Sequence, residues 1–119
     1  MKKTLVFGAS LKPNRYSNLV LNALIAQGIE TVAFGVRPGE VTGVQVKTNL
    51  NDFQNIHTIT LYLNPGHHKE YYDAIVELRP KRIIFNPGTE NPEFYTLLIA
   101  NKIQVEEACT LVLLATGQF

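Results

Sequence analysis

The first residues suited to chemistry are Gly8-Ala9-Ser10, which lie between the apolar run Leu5-Val6-Phe7 and a helical pattern that begins near Ser17. A glycine in such a turn lets the backbone approach a ligand closely, and the next helix directs unpaired N–H groups toward the same place. An anion suits that position best. The full dinucleotide fingerprint requires three glycines, whereas this turn contains only Gly8. The motif therefore predicts an anion site without naming the ligand.

Basic residues follow the first two predicted strands. Lys12 and Arg15 stand in the loop after the first strand, and Arg37 stands in Val36-Arg37-Pro38 after the second. An NAD site places an Asp or Glu at the end of the second strand to bind the ribose hydroxyls, and this chain has no carboxylate there. Arg37 therefore favours a ligand with a phosphate beside its ribose, which both NADP and coenzyme A carry. Any one of these cations fits a solvated loop, but three on one edge favour a phosphate role.

The remaining reactive side chains do not predict catalysis. Adjacent side chains diverge at His67-His68, so they do not readily chelate one metal, and a solvated helix start is the favoured interpretation. Cys109 is a candidate thiolate, or a candidate for a mixed disulfide with CoA, but the apolar residues after it favour a small buried side chain. The consecutive pair Glu106-Glu107 is interpreted as surface charge. No catalytic or metal-binding residue is predicted.

Alternating strand and helix patterns must position these residues. The predicted strands cover residues 3–7, 31–36, 56–63, 82–85 and 103–105, with a short extended piece at 43–46. The predicted helices cover residues 17–27 with Ser17 as N-cap, 67–78, and 92–101 with Asn91 as N-cap and Pro92 first. Residues 107–117 fit either a closing helix or an extended tail. This order predicts a single Rossmann-like α/β domain, a doubly wound, mostly parallel sheet of about five strands with helices on both faces.

Such sheets bind ligands at the carboxyl ends of their strands, where the strand order reverses. Four turns of this chain fall on that edge, and we expect them to line one crevice. They are Gly8-Ala9-Ser10, Val36-Arg37-Pro38, Asn64-Pro65-Gly66 and Asn86-Pro87-Gly88.

Composition limits the classes of function. The 119 residues correspond to one domain over residues 1–119, and 45% hydrophobic residues suffice for a single core. Because 11 basic and 10 acidic side chains nearly cancel, nucleic-acid and membrane binding are unsupported. Neither a signal peptide nor a spanning helix is expected. The single cysteine fits a reducing compartment, so we expect a cytoplasmic location.

Several short motifs, in order and spacing, resemble a known family. They are Gly8-Ala9-Ser10 with Pro13, Arg15, Ser17 and Val20; Val36-Arg37-Pro38-Gly39 with Gly43; Asn86-Pro87-Gly88 with Asn91 and Glu93; and Cys109. Over essentially its whole length, the chain resembles the small bacterial CoA-binding domain proteins. These are similar to the CoA-binding domain of the succinyl-CoA synthetase alpha subunit.

The resemblance implies a Rossmann-like fold that holds the ADP part of CoA at the strand ends. The first turn would lie at the pyrophosphate, the Arg37 turn at the ribose phosphate and adenine, and the Gly88 turn near the pantetheine arm. The implied cofactor-binding residues are Gly8, Ala9, Ser10, Lys12, Arg15, Ser17, Val36, Arg37, Pro38, Asn64, Pro65, Asn86, Gly88 and Thr89.

Two positions depart from the family pattern. Asn86 replaces a glutamine, which shortens the side chain by one methylene and weakens the implied pantetheine contact. Glu107-Ala108 replaces the aspartate-arginine pair that precedes the family cysteine.

The favoured function is that of a non-catalytic binding or regulatory protein for CoA or an acyl-CoA. One alternative is an enzyme, either a small NADP-dependent oxidoreductase or a CoA transferase fragment. A second alternative is an interaction module that has lost its ligand. The expected partner is a small nucleotide ligand, and a homodimer is compatible with the sequence.

Overall fold

The protein is described by a computed structural model that covers residues 2–119. Its helices are α1 (Tyr16–Ala26), α2 (Tyr72–Leu78), α3 (Pro92–Ala100) and α4 (Thr110–Ala115). The strands are β1 (Thr4–Phe7), β2 (Thr31–Phe34), β3 (Gly39–Val41), β4 (Val44–Lys47), β5 (Thr58–Leu61), β6 (Arg82–Phe85) and β7 (Gln104–Glu107). They form one sheet in the spatial order β3-β4-β2-β1-β5-β6-β7.

The sheet reverses its direction of growth beside β1. This strand pairs in parallel with β2 on one side and with β5 on the other. Parallel pairing continues outward through β4 on the first side and through β6 and β7 on the second. The strand order therefore reverses between β1 and β5, where open α/β sheets bind their ligands. The predicted doubly wound, mostly parallel sheet is confirmed.

An antiparallel hairpin at one edge raises the strand count above the predicted five. Within residues 2–119, β3 runs antiparallel to β4, and Thr42 and Gly43 join them with φ values of +50° and +84°. Two successive positive φ values are typical of the tight I′ turn of a hairpin. Gly39, which comes directly after the predicted turn Val36-Arg37-Pro38, is the first residue of β3.

Core packing covers both faces of the central strands. In β1, Leu5 and Phe7 belong to the cluster that includes residues of α2 and α3, whereas Val6 belongs to the cluster that includes residues of α1 and α4. Because strand side chains alternate between faces, one short strand supplies both cores. Among residues 2–119, no helix is long and apolar enough to cross a membrane.

The helix boundaries confirm some expectations and correct others. Arg15, not Ser17, is the N-cap of α1, and Ser17 is buried in the first turn. Gly28 follows α1 with a φ of +73°, as a C-terminal stop requires. Asn91 caps α3 as predicted, because its side-chain oxygen accepts from the Phe94 N–H at 3.1 Å. The closing segment is helical and forms α4.

The predicted helix over 67–78 is wrong in its first half. Residues 65–67 and 69–71 form two single 3₁₀ turns, and the α-helix begins only at Tyr72. His68 lies between these turns with its imidazole 2.7 Å from the Leu63 carbonyl oxygen. The Tyr71 ring packs edge-on against Phe7 and Phe34. These inward contacts with distant residues fix the local path of the chain.

Replacing Gly35 by alanine tests the close approach between the ends of β1 and β2. A Cβ at this position lies 2.5 Å from the Ala9 carbonyl oxygen, so the backbone itself must shift. We expect Gly35→Ala to lower the free energy of unfolding by about 2 kcal/mol in urea denaturation. Gly66→Ala is the control, because its Cβ meets only a side-chain oxygen at 3.3 Å. Equal stability of the two variants would contradict this account.

Candidate functional site

A groove of about 630 Å³ lies at the carboxyl ends of the parallel strands. Four connections line it: residues 8–12 and 15–17 after β1, 34–37 at the end of β2, 62–64 with Tyr71 after β5, and 87–89 after β6. The four predicted turns all contribute to this lining. Ser10 and Arg37 therefore line the same groove, together with the loop that follows Asn86.

The turn after β1 is held against the end of β2. The N–H groups of Gly8 and Ala9 both donate to the Phe34 carbonyl, at 2.9 and 2.8 Å. Gly8 has a φ of +94°, and a Cβ there would lie 3.2 Å from the Tyr62 carbonyl carbon. Glycine is therefore required by both conformation and space. These two N–H groups are used within the fold. Gly8 and Ala9 therefore offer no backbone donors to a ligand, but their small size lets a ligand come close to the backbone.

The start of α1 has backbone N–H groups without acceptors among the described residues. The Ser10 carbonyl accepts from the Asn18 side-chain amide at 2.9 Å, and the Ser10 hydroxyl oxygen accepts from the Lys12 N–H at 3.2 Å. No side chain within residues 2–119 caps α1. The N–H groups of Tyr16 and Ser17 have no hydrogen-bond acceptor in the described chain. Free N–H groups at a helix start, with the positive end of the helix dipole, suit an anion.

The charged side chains of the groove all have one sign. Lys12, Arg15 and Arg37 are exposed and line it, and no Asp or Glu among the described residues does so. The ion pairs of residues 2–119 lie elsewhere, at Lys3–Glu30 and Arg82–Glu106. The three cations thus create a local positive potential in a chain whose formal net charge is +1.

The groove is also lined by large, exposed apolar side chains, most of which are not among the predicted site residues. Val36 is 80% exposed, Tyr16 is 68% exposed and Leu11 is 38% exposed, and all three line the groove. Of these, only Val36 is a predicted site residue. The sequence does contain a signal for the other two, because Leu11 and Tyr16 are large apolar residues in an otherwise polar segment. Tyr71 was missed because helical spacing placed it on a core face.

Two tyrosines in the lining keep their protons at neutral pH. Burial, with the nearby Cys109 thiol as a smaller contribution, raises the pKa of Tyr62 to about 12. Burial also raises the pKa of Tyr71, and the neighbouring Glu70 carboxylate acts in the same direction. Neither phenol is a base near pH 7.

Not every predicted site residue lines the groove. Gly8, Ala9, Ser10, Lys12, Arg15, Ser17, Val36, Arg37, Asn64, Gly88 and Thr89 do so, whereas Pro38, Pro65 and Asn86 do not. Pro38 and Pro65 adjoin lining residues along the chain. Asn64 presents its side chain at the rim and accepts from the Gly66 N–H at 2.9 Å.

Asn86 is buried and uses its amide within the fold. Its nitrogen donates to the Thr60 hydroxyl at 2.8 Å and to the Leu61 carbonyl at 3.0 Å, and its oxygen accepts from the Thr110 N–H at 2.9 Å. The hydroxyls of Thr60 and Thr110 bond to each other at 2.8 Å. This network joins β5, β6 and α4 directly beneath the loop 87–89. Asn86 therefore positions that loop.

The histidine pair departs from its predicted solvated setting. His67 is exposed, but His68 is 1% exposed. Both ring nitrogens of His68 are engaged, Nε2 with the Leu63 carbonyl at 2.7 Å and Nδ1 with the Asn91 side-chain amide at 3.0 Å. Burial lowers the pKa of His68, the hydrogen bond to the Leu63 carbonyl opposes that change, and the exposed neighbour His67 adds to the lowering.

The acids and the cysteine lie outside the groove lining. Glu106 pairs with Arg82 at 3.3 Å, and Glu107 accepts from the Tyr95 hydroxyl at 2.7 Å. Cys109 is partly buried, less so than predicted. Within residues 2–119, no three His, Cys, Asp or Glu side chains are placed to hold a metal ion. A second cavity of about 580 Å³ opens at the opposite edge of the sheet, beside the amino ends of β5 and β6, and contains no predicted site residue.

Removing the Asn86 amide tests its positioning role. Asn86→Ala leaves the Leu61 carbonyl and the Thr110 N–H without partners in a buried place, so we expect a loss of about 3 kcal/mol in the free energy of unfolding. Asn101→Ala serves as control, because its amide is exposed and bonds only to the Leu97 carbonyl. Chemical denaturation measures both variants. Losses of similar size would mean that the buried network contributes little.

Several proteins of solved structure are similar to this chain over most of its length. The chain is 42% identical to an uncharacterized protein of known crystal structure, with a TM-score of 0.96 over 100% of this chain and 98% of that one. It is 26% identical to a hypothetical protein from Pyrococcus horikoshii, with a TM-score of 0.84 over 93% and 80%. A Thermus thermophilus protein is 23% identical, with a TM-score of 0.88 over 99% and 90%, and shares the fold.

The chain matches one family model over nearly its whole length. No curated protein matches it. The family model described as a CoA binding domain matches residues 2–115, which include every element that lines the groove. The chain therefore belongs to the CoA binding domain family.

Proposed function

We propose that the groove binds coenzyme A or an acyl-CoA and that the protein acts through binding, without a reaction of its own. The observation that carries the proposal is the groove lining, which combines three cations with no carboxylate among the described residues. CoA carries a diphosphate and a phosphate on its ribose, so it requires this concentration of positive charge. Membership of the CoA binding domain family supports the same ligand class.

The start of α1 is the proposed place of the diphosphate. The N–H groups of Tyr16 and Ser17 have no acceptor in the described chain, and Arg15 and Lys12 flank them. Charge-assisted hydrogen bonds from N–H groups and guanidinium to phosphate are roughly twice as strong as neutral ones. Gly8 lines the same groove and lets the chain turn toward this helix start with a φ of +94°.

Arg37 is the proposed partner of the phosphate on the ribose. It follows β2, the strand whose end meets the ribose in doubly wound folds. Its guanidinium is exposed and has no ion-pair partner within residues 2–119. Val36, 80% exposed beside it, offers apolar surface for the adenine. Exposed apolar surface next to free cations fits a base joined to phosphates.

The titratable groups of the groove support a binding role. Apart from the three cations, the titratable lining residues in the described chain are Tyr16, Tyr62 and Tyr71. General acid–base catalysis near pH 7 uses a group whose pKa lies near that pH. The pKa values of Tyr62 and Tyr71 are raised instead. The polar groups of the groove are thus suited to holding a ligand.

Calorimetric titration of the full chain with CoA, dephospho-CoA and NADPH tests the proposal. We expect CoA to bind about tenfold more tightly than dephospho-CoA, because one charge-assisted phosphate contact is lost in the latter. Arg37→Gln should reduce the affinity for CoA to that for dephospho-CoA. Lys81→Gln, which removes a positive charge at the opposite edge, should leave both affinities unchanged.

Each other outcome has a definite meaning. Equal affinities for CoA and dephospho-CoA would remove the role given to Arg37. Tighter binding of NADPH than of CoA would favour the oxidoreductase alternative. If no nucleotide binds or raises the melting temperature, the proposed function fails and an interaction module is favoured.

A further inference from the structure

We propose that neutral His68 is a positioning residue for the ligand groove, and that its protonation weakens CoA binding as the pH falls below neutrality. The inference rests on the proposed function, since it concerns the same groove. His68 does not line that groove. It acts through two loops that do, those that follow β5 and β6.

The hydrogen bonds of His68 fix its protonation state. The Leu63 carbonyl can only accept, so Nε2 must carry the proton. The Asn91 side-chain oxygen is occupied by the Phe94 N–H at the start of α3, so its NH₂ group faces Nδ1 and donates to it. Nδ1 must therefore be an unprotonated acceptor. Only the neutral Nε2–H tautomer satisfies both contacts.

These bonds connect two walls of the groove. Leu63 and Asn64 belong to the wall formed after β5. Asn91 lies two residues after the loop 87–89, which forms the wall after β6. The contact between His68 and Asn91, 3.0 Å long, bridges the two loops. It joins segments 23 residues apart in the sequence.

Protonation would place two donors face to face at this bridge. A proton on Nδ1 points at the Asn91 NH₂ group, so the contact becomes repulsive. Turning the Asn91 amide would present its oxygen to His68 and to the Tyr72 hydroxyl, which can donate as well as accept, but would remove the cap of α3. Either response moves the loop ends that carry the groove walls.

The surroundings of His68 offer little to stabilise its charged form. Phe85 of β6 and Phe94 of α3 face the ring at centroid distances of 6.2 and 5.9 Å. The titratable neighbours are the His67 imidazole on the same turn and the Tyr72 phenol of α2, which is reached through Asn91. Within residues 2–119, no carboxylate hydrogen-bonds to the ring. Burial lowers the pKa of His68 and outweighs the hydrogen bond to the Leu63 carbonyl, which raises it.

The test measures the dissociation constants of CoA and dephospho-CoA between pH 8 and pH 5. Dephospho-CoA is essential, because the ribose phosphate of CoA is itself a monoester with a second pKa of about 6. For the unaltered protein, we expect the dissociation constant of dephospho-CoA to rise toward acid pH. At the acid end of the range, this dissociation constant should rise about tenfold for each pH unit, because binding would then release one proton.

Two neighbouring variants separate His68 from other titrating groups. His68→Gln should flatten the pH profile for dephospho-CoA, because the amide does not titrate. His67→Gln, a change of the exposed neighbour, should retain the profile of the unaltered protein. A flat profile for the unaltered protein, or an unchanged slope in His68→Gln, would overturn the inference while leaving the proposed function standing.

NMR of the unaltered protein tests the bridge without any ligand. It therefore remains informative if the His68 variant does not fold or if none of these ligands binds. The ring ¹⁵N shifts should show the Nε2–H tautomer at pH 8. The backbone amide signals of Asn64 and Thr89 should then shift with the same midpoint as His68. If His68 titrates while both amides remain still, the bridge does not position the groove and the inference fails. Absence of ligand binding at every pH would by itself reject only the proposed function.

Discussion

The carbonyl of Phe34 accepts two hydrogen bonds, from the N–H groups of Gly8 and Ala9, and the site depends on this contact. It fixes the end of β1 against the end of β2, next to the point where the strand order reverses between β1 and β5. Because β1 and β2 are parallel, the loop with Lys12 and the turn with Arg37 leave the sheet at the same edge. The contact also brings the Ala9 carbonyl so near Gly35 that no side chain fits there. A backbone constraint, rather than any single polar side chain, therefore creates the concave place for a ligand.

The charged side chains around the groove are exposed and, within residues 2–119, unpaired, whereas Arg82 elsewhere in the fold is buried and paired. Arg82 is 7% exposed and bonds to Glu106 and to the Thr58 hydroxyl, so its charge is compensated within the protein. Lys12, Arg15 and Arg37 are exposed, and their charges act on whatever enters the groove. Exposed charges are screened over about 8–10 Å in physiological salt, so their attraction is local. This accounts for a strongly positive groove on a chain with a formal net charge of only +1.

The sequence predicts the sheet and its ligand edge because both depend on local patterns. Buried strands give continuous apolar runs, and Gly8, Gly28 and Asn91 mark turns and helix ends by their own conformational preferences. The burial of His68 could not be predicted in this way, because its partners Leu63 and Asn91 come together only in the folded chain. The 3₁₀ turns before α2 have the same origin. Helical spacing alone gives no sign that His68 must turn inward at that place.

The two Asn-Pro-Gly turns show why a motif in this fold does not by itself assign a role. Asn64 accepts from the N–H group two residues ahead and stands exposed at the groove rim. Asn86, in the same local sequence, is 2% exposed and reaches Thr60, Leu61 and Thr110 on other elements. The difference follows from position in the sheet, since Asn86 lies beside the carboxyl end of β5 and beneath α4, where unpaired polar groups are costly. The short Asn86 side chain suits that place, because its amide already makes its hydrogen bonds within the protein. The side chains that a ligand in the groove would meet are the exposed ones of the other turns, and buried polar residues such as Asn86 set where those turns stand.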